Sequence, residues 1–101
     1  MQTKIIEAIR NRNMLQIVCK GFSRTVEPYL IYESKEGRIL LHGWQTEGEY
    51  DQTPPPDWCN LRLEDMTAVV ILDQKYQSPH PEYNPESKMF YRVIVFTPTG
   101  P

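Results

Sequence analysis

Residues 24–44, RTVEPYLIYESKEGRILLHGW, read as a β-hairpin, and the flanking segments read as what completes the sheet it starts. Val26, Leu30 and Tyr32 keep a period of two, which in an extended chain places them on one face. Beyond the turn, Ile39 and Leu41 share one face, and Leu40, His42 and Trp44 share the opposite one. The connection Ser34-Lys35-Glu36-Gly37 is polar and ends in glycine, which takes the positive φ of a four-residue hairpin loop without steric cost. Two strands alone are marginal in water, so the rest of the chain has to cover them.

Before the hairpin, Thr3 is placed to cap a short helix through Ile5, Ile6, Ala8 and Ile9 to about Arg12, with Ile5 and Ile9 one turn apart and facing the core. Met14 to Lys20 reads as a strand with Leu15, Ile17 and Cys19 on one face and Met14 and Val18 on the other. Gly21 supplies the turn. After Trp44 the alternation stops, so residues 45–57 read as a polar loop, stiffened by Pro54-Pro55-Pro56. Trp58 to Leu63 alternates again, with Trp58, Asn60 and Arg62 opposite Cys59, Leu61 and Leu63. Glu64-Asp65-Met66 reads as one tight turn. Thr67 to Leu72 is apolar on both faces, the pattern of a fully buried core strand. Residues 74–88 hold Pro79, Pro81 and Pro85 and read as an irregular surface crossing; Met89 to Phe96 reads as the last strand, and residues 97–101 as a frayed tail. The fold expected is mainly β: a short N-terminal helix followed by five or six strands in a small, strongly bent sheet or SH3-like barrel. A doubly wound α/β fold is excluded, because no second helical period separates the strands.

One hundred and one residues suit a single small domain. No run approaches the roughly 20 apolar residues of a membrane span and no apolar leader core opens the chain, so the expected location is the cytoplasm. Cys19 and Cys59 read as reduced, packed thiols. The net charge of −2 argues against a dedicated nucleic-acid binder. Its distribution is uneven: residues 1–24 carry five basic side chains against Glu7, whereas the remainder carries six basic and twelve acidic ones. That is either a basic surface on the N-terminal helix and first strand or an ordinary solvated helix face.

The order of these segments resembles the WYL domain, an Sm-like, SH3-type barrel found in bacterial transcription regulators. The similarity spans residues 5–72 and is carried by "EAIRN", "LQIVCKG", "GRILLHGW", the step Arg24-x-Val26-Glu27-Pro28, and Leu61-Arg62-Leu63-x-x-Met66. The family's naming triplet falls on Ile39-Leu40-Leu41, its first-strand tyrosine on Cys19, and its second arginine on Asp65. The resemblance implies a ligand-sensing module for an anion, a nucleotide or single-stranded nucleic acid, with Arg24 and Arg62 facing the ligand. A planar guanidinium grips phosphate through two parallel hydrogen bonds.

The candidate ligand-binding set is therefore Arg24 and Arg62 with aromatic neighbours Tyr29, His42 and Trp44. Each has a plainer reading. Arg24 and Arg62 have Glu27 and Glu64 close by as ion-pair partners. Trp44 and Trp58 are base-stacking platforms or core, and His42 is a packed imidazole. No metal site is expected, since His42, His80, Cys19 and Cys59 lack the tight pairing of a zinc site, and no cofactor is implied. Neither cysteine sits in a nucleophile motif, Glu64 and Asp65 diverge on a turn, and no glycine-rich phosphate loop is present, so no enzymatic activity is expected. A competing partner is another protein or a second copy, paired along the hydrophobic edge of the last strand.

Overall fold

Helix α1 (Gln2–Asn11) begins ahead of Thr3 in the computed structural model, which describes residues 1–101. Met1 is the N-cap and no side chain bonds the first turn, whose amides are open to water, so Thr3 is a helical residue rather than a cap. Ile5, Ala8 and Ile9 are buried on one face. Arg12 ends the helix in the left-handed region at φ 55°.

Six antiparallel strands follow in one sheet: β1 (Asn13–Cys19), β2 (Phe22–Glu33), β3 (Ile39–Gly48), β4 (Asp57–Arg62), β5 (Met66–Lys75) and β6 (Arg92–Phe96), with a single 3₁₀ turn at Leu63–Asp65. The mainly β architecture expected from the sequence is what forms. β2 is the axis. β3 runs along one of its edges, whereas β1 pairs with its first half and β6 with its second half along the other. β4, β5 and β6 each have one neighbour, so the sheet bends but does not close.

The bend is built into β2. Between Pro28 and Leu30 the ladder to β3 slips, leaving Tyr29 without a partner. One extra residue reverses the alternation beyond it. Val26 and Ile31 therefore face α1, while Tyr29, Leu30 and Tyr32 face the other way, so Val26, Leu30 and Tyr32 do not share a face as their spacing suggests. Opposite Pro28 stands Gly43, where a Cβ would lie 2.4 Å from the Glu27 carbonyl oxygen. Only glycine lets β3 approach this closely.

Both faces of the sheet are covered. Under α1 lies a core of Ile5, Ile9, Leu15, Ile17, Val26, Ile31, Leu41 and Leu61. On the other face Tyr29, Leu30 and Tyr32 are covered by Tyr76, Tyr83 and Phe90 from the proline-rich crossing. Each buried aromatic ring removes roughly 150–250 Å² from water, which is why a segment without regular structure holds its place. The crossing is thus a cover for the second core.

Four further expectations are corrected. β3 continues past Trp44 to Gly48, because β2 starts early enough to supply partners as far as Arg24. β5 is an edge strand with Met66 and Val69 buried and Val70 52 % exposed, since α1 covers only one of its faces. The last strand begins at Arg92, residues 89–91 being spent on bringing Phe90 into the second core. The tail is not frayed: Arg12 donates to the carbonyls of Pro98 and Gly100, both at 2.8 Å. No helix is long and apolar enough to cross a membrane.

Candidate ligand-binding cleft

Arg24 lies near the start of β2, opposite Ile17 on β1 and Gly48 on β3. Its Nη1 donates to Gln45 Oε1 at 2.9 Å, and its Cζ lies 5.6 Å from the centre of the Phe22 ring. Its Nε is buried with no acceptor. Gln45 is in turn held by its Nε2, which donates to the carbonyls of Glu47 at 3.2 Å and Glu49 at 2.9 Å. Arg62 ends β4, exposed, and its side chain makes no hydrogen bond or ion pair within the chain. The local ion pairs the sequence offers do not form. Glu27 accepts a hydrogen bond from the Tyr29 hydroxyl, and Glu64 pairs with Arg38.

Both arginines line one cleft of about 420 Å³, together with Lys20, Trp58 and three acids, Asp51, Asp57 and Asp65. The cleft follows the free edge of β4. Side chains alternate along that strand, Cys59 and Leu61 entering the core under α1 while Trp58 packs on the opposite core. The arginines consequently reach the cleft from opposite faces of β4. Asp57 is engaged locally, accepting from Thr53 Oγ1 and from the Trp58 amide, both at 2.8 Å. Asp65 Oδ2 lies 3.8 Å from Lys20 Nζ and accepts no hydrogen bond, although that oxygen is buried.

Tyr29, His42 and Trp44 are not in this cleft; they belong to the aromatic cluster under the crossing. The Tyr29 ring is fully buried, 4.8 Å from Tyr83 and 5.4 Å from Tyr76, and its hydroxyl accepts the His80 amide at 2.8 Å. His42 stacks on Trp58 with centroids 5.0 Å apart and planes 11° apart, and its Nδ1 lies 3.0 Å from Asn60 Oδ1. Burial pushes the imidazole below its ordinary pKa, so it is neutral at physiological pH. Trp44 meets Trp58 edge to face at 5.1 Å and His80 at 4.2 Å. Trp58, rather than Trp44, is the aromatic wall of the cleft.

The thiols of Cys19 and Cys59 also line the cleft. Burial raises both, that of Cys59 to about 12, and outweighs the opposing pull of the Arg24 charge. Each is a protonated thiol at neutral pH and a poor nucleophile. No group of three or more His, Cys, Asp or Glu side chains is placed to hold a metal ion.

Sequence reasoning missed Lys20 and Gln45. Gln45 had a signal, since its parity puts an amide on the otherwise apolar face of Ile39 and Leu41. Lys20 had none, because its position follows from the turn between β1 and β2. Comparisons with family models, with curated proteins and with solved structures give no match to this chain.

Proposed function

We propose that this chain is a non-enzymatic ligand-binding module of the WYL type, a cytoplasmic regulatory part that takes an anionic ligand, a nucleotide or a short single strand of nucleic acid, along the β4 edge. The observation that carries the reading is that Arg24 and Arg62, from different strands, line one cleft and neither has an acidic partner. The lining charges are balanced in number, but Asp57 is occupied by Thr53 and Trp58, and Asp65 lies beside Lys20. The two guanidiniums then stand against one carboxylate with no partner of its own, Asp51. Arg24 also keeps a buried donor that an anion's oxygen would satisfy, and an unmade hydrogen bond to a charged group is costly.

The test is a tryptophan-fluorescence titration with mononucleotides and short single-stranded oligonucleotides at two salt concentrations, on the parent chain and on Arg24→Ala and Arg62→Ala, with circular dichroism to establish folding. Saturable binding that weakens with salt and is lost in both folded variants is the expected result. Absence of binding at low salt overturns the reading.

A second reading rests on β6. That strand pairs only with β2, and Val93, Ile94 and Phe96 are exposed at 37 %, 38 % and 52 %. An open edge of this hydrophobicity invites antiparallel pairing with a second copy. Sedimentation separates the two readings: a dimer abolished by Ile94→Lys favours the edge, and a monomer that binds nucleotide favours the cleft.

A further inference from the structure

The cleft holds an unpartnered acceptor as well as an unpartnered donor. Asp65 Oδ2, which lies 3.8 Å from Lys20 Nζ, and Arg24 Nε are the two buried side-chain polar atoms without a hydrogen bond in the molecule, and both residues line the cleft that Trp58 also lines. A bare phosphate would satisfy Arg24 and leave Asp65 Oδ2 without a donor. A ligand that satisfies both has to present donors on one edge and acceptors on another, on a flat body that an indole can cover.

Among nucleobases, guanine meets this description best. Its N1–H and N2–H₂ offer two parallel donors to a carboxylate, and its O6 and N7 offer two acceptors to a guanidinium. Adenine and cytosine present one amino group each to a carboxylate, and uracil flanks its single N–H with two carbonyls that repel one. We propose that the cleft selects guanine nucleotides, with Asp65 accepting from the Watson–Crick edge, a cleft arginine donating to the base acceptors or the phosphate, and Trp58 stacking on the ring. This rests on the anion-binding reading above and assigns a role to the carboxylate that stands where the related barrels carry an arginine.

The experiment titrates the parent chain and Asp65→Asn with GMP, AMP, CMP, UMP, guanosine, adenosine and inorganic phosphate, following tryptophan fluorescence at low salt. GMP is expected to bind on the order of tenfold more tightly than AMP, guanosine to bind more tightly than adenosine, and Asp65→Asn to remove both preferences by weakening GMP far more than AMP. The amide keeps the size of the carboxylate, so loss of fold is not expected, and the guanosine-to-adenosine ratio in the parent needs no variant. Equal, salt-sensitive binding of GMP, AMP and phosphate overturns base selection and leaves the anion site standing. No binding by any nucleotide or by phosphate overturns both.

Discussion

Arg12 Nε donates to Thr97 Oγ1 at 3.0 Å, joining the end of the helix to the residue after the last strand. Its other nitrogens donate to the carbonyls of Gln77, Pro98 and Gly100, and its Cζ lies 5.9 Å from the centre of the Tyr76 ring. One side chain therefore ties together the helix, the start of the crossing and the tail. Arg12→Gly keeps the left-handed backbone conformation, which glycine adopts freely, and removes only the clamp. The expected cost is about 2 kcal/mol in urea unfolding, with faster proteolysis after Phe96. A tail that stays protected in Arg12→Gly would show that Tyr83, which donates to the Thr97 carbonyl at 2.9 Å, is sufficient by itself.

Gly43→Ala brings a methyl group into the Glu27 carbonyl at the point where β2 bulges. Backbone cannot yield as a flexible side chain does, so the loss is expected to be roughly 3 kcal/mol, read as a lower urea midpoint. A loss below about 1 kcal/mol would mean that the two strands move apart at little cost.

His42 makes stability depend on pH. Its folded pKa lies below the ordinary 6.5, so between those values the unfolded chain binds a proton that the folded chain does not. Stability is complete above pH 6.5 and falls as the pH drops through that value toward the folded pKa, with a slope of at most about 1.4 kcal/mol per pH unit from this group. Urea midpoints between pH 8 and 5.5 measure it. In His42→Gln the decline in this window should flatten; an unchanged slope would assign it to other groups.

The thiols are protected by the fold. Cys19 and Cys59 are both buried and both raised in pKa. At pH 8 a disulfide reagent should react with neither in the folded protein on the timescale of minutes and with both after unfolding in urea. Rapid reaction of one thiol in the native state would show that the cleft opens to the core beneath it.

Local pattern identified most of the strands. Leu15, Ile17 and Cys19 face one core and Met14 the other, and Cys59 and Leu61 separate from Trp58, as their alternation implies. The β5 run TAVVIL misled, because an apolar sequence records that burial is possible on both faces and not whether a second layer is there to provide it. Of the candidate site, Arg24 and Arg62 were legible through a sequence step and do meet at one cleft, whereas Tyr29, His42 and Trp44 pack together elsewhere. Tyr29, three residues from Val26, faces the second core by simple alternation, and the bulge at Tyr29 sends Leu30 and Tyr32 to that same face.

By itself the sequence determined the helix, five or six strands in their order along the chain, and the turns at Gly21 and Gly37, because these depend on periods and residue types within a few positions. Tertiary structure alone decided that the proline-rich crossing covers a second core, that Arg12 holds the tail, and that Arg24, Arg62, Lys20 and Asp65 line one cleft. Those relationships join positions far apart along the chain. Their outcome depends on where β2 bends and which edge each later strand reaches, and no local period encodes either.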